Sequence, residues 1–168
     1  MENSRTAFPN SFLVKLTFLA WLSMLGVDFF LHAGVLAPLY AVPSPFLLPP
    51  ERAFALIPVG YASFLLLAVL LVWLMVKLER RGWRQGAVFG AQVGGLAWGA
   101  LILGLYSITT ASPALLLGWF IGQTVELSMA GIVVGIGLES IGLRRLFFQV
   151  LGTVIVLVVL SVIMQNIG

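Results

Sequence analysis

Asp28 and His32 stand four residues apart in LGVDFFLHAGVLAPLY (residues 25–40), and Glu126 lies within a second long apolar run. The other acidic residues, Glu2, Glu51, Glu79 and Glu139, fall at run ends or in loops. An ionisable side chain inside a membrane span costs about 2.5–3.5 kcal/mol on insertion scales. Asp28 and Glu126 therefore need a partner, a water-filled cavity or a neutralising proton. Such groups can load and release a proton, or hold a cation or an amine. Asp28, His32 and Glu126 are also competent divalent-metal ligands, since imidazole and carboxylate both suit such ions. The bland alternative is an internal hydrogen-bond network that locks helices together.

Asp28 and His32 share one helix face by their spacing. Asp28 and His32 lie about ten and six residues from the far end of the first run, and Tyr61 about eight residues into the second. Gln123 and Glu126 lie about ten and thirteen residues into the fourth. At about 1.5 Å per residue these levels overlap in one half of a bilayer. Asp28, His32, Tyr61, Gln123 and Glu126 are thus the candidate ligand- or proton-binding set.

The elements that must position them are membrane helices. The chain has 168 residues, 61% apolar and only 9% charged, against about a quarter charged in a soluble domain. So few charges cannot cover a water-facing surface, and the expected fold is an all-α bundle forming a single transmembrane domain over 1–168. The densest charged stretch, KLERRGWRQG (77–86), is only a loop. The net charge of +3 does not imply nucleic acid, because Lys and Arg cluster at the ends of apolar runs. With no Cys, thiolate and iron–sulfur chemistry are excluded. The first apolar run exceeds the roughly 7–15 residues of a signal-peptide core, which reads as a retained span.

Five spans are expected, near 12–38, 53–78, 85–108, 113–138 and 145–165. PSPFLLPPER interrupts any helix between the first two, and Ser112 followed by Pro113 marks the start of the fourth. Lys and Arg number eight on one set of alternating sides (Arg5, Lys15, Lys77, Arg80, Arg81, Arg84, Arg144, Arg145) against one, Arg52, on the other. The positive-inside bias puts the N-terminus inside and the C-terminus outside, in a bacterial inner membrane crossed several times.

In lipid, helices associate where small residues let backbones approach. Gly86, Gly90 and Gly94 recur every four residues in span three, with Gly95 and Gly99 beside them. Gly118 and Gly122, then Gly131 and Gly135, repeat the spacing in span four. Close packing of these two spans, on each other or on a partner, is expected. Span five is bulky and β-branched and reads as peripheral. Pro58 should kink span two or weaken its first turns.

At DFFLHAGVLAPLY the chain resembles a group of small, uncharacterised bacterial polytopic membrane proteins with an Asp-x3-His-x7-Tyr pattern in the first span, here Asp28, His32 and Tyr40. WFIGQTVELSMAGIVVGIGL, with Trp119, Gly122, Gln123, Gly131 and Gly135, resembles the group's last Gly-rich helix. The similarity covers about residues 20–140, and the fifth span departs from the group's usual four. No reaction comes with the resemblance.

Three functions fit. The first is a membrane protein with a polar pocket in the outer half of the bilayer, binding or moving a small ligand, ion or proton. The second is an accessory subunit of a larger complex, redox or photosynthetic, or a homo-oligomer, with the glycine faces as docking surfaces. The third is an intramembrane enzyme acting on a lipid or quinone, with Asp28 and His32 as acid and base. No GxSxG, GxxxxGK[ST] or HExxH motif appears. No second Asp in a span gives an aspartyl dyad, and one His excludes bis-histidine haem ligation within the chain. No catalytic residue or cofactor is assigned, and the five Trp residues read as interface anchors or packing.

Overall fold

A computed structural model describes residues 8–42, 44–140 and 142–167, with side chains through 166. Glu2, Arg5 and Pro43, named above, lie outside them. The described residues form an all-α bundle, and among them five helices are long and apolar enough to cross a membrane. They are α1 (Asn10–Phe30), α3 (Pro50–Lys77), α4 (Trp83–Ile108), α5 (Pro113–Glu139) and α6 (Leu143–Ile167), with a short α2 (Ala37–Ala41) after α1.

Prolines set several boundaries. Pro50 and Pro113 occupy first-turn positions, where the missing N–H costs nothing. Ser112 Oγ accepts from Leu115 N at 3.2 Å and caps α5. The first span does not continue as α-helix to residue 38. It widens into a π-helical segment, Leu31–Val35, closed by Leu36 N donating to Leu31 O at 2.7 Å. The carbonyl of Ala33 would need the N–H of residue 38 in this pattern, and Pro38 has none. Gln165 of α6 supplies the donor instead, Nε2 to Ala33 O at 2.9 Å. Ser161 Oγ donates to Phe29 O nearby at 3.3 Å. The fifth span, expected at the periphery, is exposed over most of its surface yet props up this irregular turn.

The expected glycine packing is present, but only in part. A Cβ on Gly86 would lie 2.0 Å from Gly131 O, and one on Gly131 would lie 2.1 Å from Gly86 O. Gly90 meets Leu127 O at 2.1 Å and Gly135 meets Gly82 O at 2.3 Å on the same test, while Gly94 abuts Thr124 Cα at 3.0 Å. Backbones therefore touch along α4 and α5, and Gly82 N donates to Gly135 O across the seam at 2.9 Å. Gly118 and Gly122 belong elsewhere. They face Leu36, Leu39 and His32 of the first span and its extension. Gly95 has open space, and Gly99 meets only Phe120, so the second stripe on span three packs nothing tightly.

The apolar core fills one half of the bundle. Leu16, Ala20 and Met24 of α1 meet Ala68, Leu71 and Met75 of α3 and Leu127, Ala130 and Val134 of α5. The first eleven residues of α3, residues 50–60, are all exposed, and its buried residues begin at Phe64. Pro58 sits within this outlying stretch, though the helix runs on through it. One end of the bundle is thus solidly packed and the other is opened.

The C-terminus of α3 closes with Arg80 N donating to Met75 O at 2.9 Å and Glu79 N to Val76 O at 3.3 Å, with Glu79 at φ +53°. This is the left-handed position that glycine normally takes. Glu79→Gly should therefore raise stability by about 0.5–1 kcal/mol, measured as a higher midpoint in denaturing-detergent unfolding. A lower midpoint would contradict this reading.

Candidate metal centre

The polar cluster sits where the core gives way to the cleft. Glu126 is the central residue of α5 and is 0% exposed, while Gln123, one turn earlier, is 4% exposed. The side chains of Asp28 and His32 are 17% and 18% exposed, so the cluster borders the cleft without lying open. Gly122 lies against the imidazole: a Cβ there would stand 3.4 Å from His32 Nε2, an ordinary van der Waals contact.

His32 Nε2 lies 3.7 Å from Asp28 Oδ1 and 3.6 Å from Glu126 Oε1. Both distances are too long for direct hydrogen bonds. One donor atom from each of Asp28, His32 and Glu126 falls within 4.8 Å of the others. Gln123 Nε2 donates to Glu126 Oε1 at 2.8 Å and stands 3.5 Å from His32 Nε2. Glu126 Oε2 and Gln123 Oε1 are buried with no hydrogen-bond partner among the described residues. Orphaned acceptors of this kind cost about 1–3 kcal/mol each and need explaining.

The other side of the imidazole is fixed. His32 Nδ1 is hydrogen-bonded to Tyr40 Oη, which accepts from Trp119 Nε1 at 2.6 Å. The indole can only donate, so the chain Trp119–Tyr40–His32 has one defined end. The π-helical turn and Pro38 place Tyr40 on α2 opposite the ring. Among the described residues, His32 is the only base that pairs with either carboxylate.

All five residues expected to converge border one region: Asp28, His32, Tyr61 and Gln123 line one cleft, and Glu126 sits behind it bonded to Gln123. Tyr61 lines the adjoining cleft but is absent from the hydrogen-bonded cluster, and its backbone carbonyl accepts from Trp21 Nε1 at 2.8 Å. Tyr40 and Trp119 complete the site, although spacing alone pointed to neither as a binding residue. The His-x7-Tyr spacing was the available signal for Tyr40.

Fold and site together define a polytopic helical membrane protein with a buried acid–histidine cluster beside an open cleft. No family model, curated protein or solved structure matches the chain.

Proposed function

We propose that this chain is a bacterial inner-membrane protein, N-terminus inside and C-terminus outside, that binds a divalent transition-metal ion through Asp28, His32 and Glu126 in the outer half of the bilayer. The observation that carries this reading is Glu126. It is fully buried, one carboxylate oxygen has no partner, and two more donor residues stand around the same small space.

Two carboxylates facing one imidazole in a low-dielectric interior need compensating positive charge. Protons can supply it, and a divalent ion neutralises both carboxylates at once. The spacing favours the ion. Donors about 2.0–2.2 Å from a tetrahedral centre lie roughly 3.3–3.6 Å from one another. The separations of 3.6 and 3.7 Å from His32 Nε2 are close to that. With Nε2 on the ion, Nδ1–H donates to Tyr40, the outer-shell arrangement typical of a ligating histidine. The mixed nitrogen and oxygen set suits Zn²⁺, Mn²⁺ or Fe²⁺ better than Mg²⁺.

Calorimetric titration of the detergent-purified protein with Zn²⁺ and Mn²⁺ tests the proposal. One ion should bind per chain, more weakly as pH falls because protons compete for the ligands. His32→Ala should abolish this binding. Absence of binding in the wild type, or unchanged binding in the variant, would refute it.

A further inference from the structure

Beside the cluster lies a cleft of about 720 Å³ that the cation does not account for. That volume falls within the roughly 300–1,000 Å³ of small-molecule sites. Asp28, His32 and Gln123 form its polar end, while Phe54, Ile57 and Trp98 give it apolar and aromatic walls. Phe54 is 75% exposed on the outlying stretch of α3, within a helix long and apolar enough to span a membrane. The mouth therefore faces hydrocarbon, and an occupant enters from the lipid phase.

The chemistry of the polar end narrows the occupant. Among the described residues no Lys or Arg lines the cleft, and Asp28 disfavours a phosphate or fatty-acid head. The polar end offers two acceptors, the Asp28 carboxylate and Gln123 Oε1, which is buried and has no donor among the described residues, beside the hydroxyls of Tyr40, Tyr61 and Ser63. It calls for a neutral head that donates hydrogen bonds, and the aromatic walls favour a flat ring. We propose that the cleft binds a dihydroxyaromatic amphiphile of the quinol type, its hydroxyls donating to Asp28 and Gln123 and its tail leaving past Phe54 into the bilayer. Glu126 does not line the cleft, so removing that ligand tests the cation separately from this binding, although Asp28 borders both.

The test uses 4-hexylresorcinol as probe and its dimethyl ether, which lacks the donors, as the matched control. Binding to the purified protein in EDTA is followed by quenching of Trp fluorescence. The resorcinol should bind saturably and at least about tenfold more tightly than the ether, since a site with unpaired acceptors rejects a ligand without donors. Gln123→Leu should shrink that preference below about threefold, and Ala53→Trp, which fills the mouth from an exposed position, should remove binding of both. Glu126→Gln should retain resorcinol binding while losing the cation. Equal affinities for the two compounds, no saturable binding, or indifference to Ala53→Trp would each overturn the proposal. Cation binding that persists alongside such a failure would leave the metal-site reading standing.

Discussion

Glu126→Gln should lower divalent-cation affinity by at least about 100-fold while leaving the protein folded. The substitution preserves shape. Gln123 Nε2 donates to Glu126 Oε1, and an amide oxygen in that place accepts the same bond. What disappears is an anionic ligand in a fully buried position. Without metal, the variant should unfold at the same denaturant level as wild type or higher, because a buried charge has been removed. With the ion at about 100 times its Kd, wild type should gain about 2.7 kcal/mol and the variant almost nothing. Thermal unfolding with and without Zn²⁺ separates these cases. A variant that kept the metal-dependent gain would remove Glu126 from the site.

The second large effect is structural. Gly90→Ala should cost at least about 3 kcal/mol or prevent assembly of α4 on α5. The new methyl would meet Leu127 O at 2.1 Å, Leu127 C at 2.8 Å and Ser128 Cα at 3.0 Å. All three are backbone atoms, so no rotamer change relieves them and the helices must separate. Separation also strains the Ser128 Oγ to Ala87 O bond, 3.1 Å long, and the Gly82–Gly135 bond. Gly95→Ala in the same helix is the control, because nothing lies within 4 Å of its added carbon. It should be neutral or stabilise by up to about 1 kcal/mol through helix propensity. Similar losses in both variants would mean that the seam is not the source of stability.

Much of this arrangement was legible in the sequence because a membrane leaves few choices. Charges inside apolar runs are so costly that Asp28 and Glu126 stood out without any knowledge of the fold, and His32 followed from its spacing. The α4–α5 seam was readable from the four-residue glycine period for the same reason, since lipid gives bulky side chains no incentive to pair. Gly118 and Gly122 carry the same spacing yet serve a different contact. Period shows that a helix has a smooth stripe, not which neighbour occupies it. Tyr40 entered only through the Asp-x3-His-x7-Tyr resemblance and not as a binding residue, because Pro38 marks a helix boundary and a π-helical turn that re-aims the next residues leaves no periodic trace. Trp119 looked like an interface anchor, and only its approach to Tyr40 gives it a part in orienting His32. Tyr61 had the right depth, and it lines the same cleft as Asp28, His32 and Gln123.

X-ray absorption at the zinc edge of the Zn²⁺-loaded protein tests most directly whether three separate helix positions share one ion. One ion per chain is expected, with a single imidazole and otherwise oxygen donors at about 2.0–2.2 Å, and with the imidazole contribution lost in His32→Ala. Zinc held without imidazole, or an identical spectrum in His32→Ala, would contradict it.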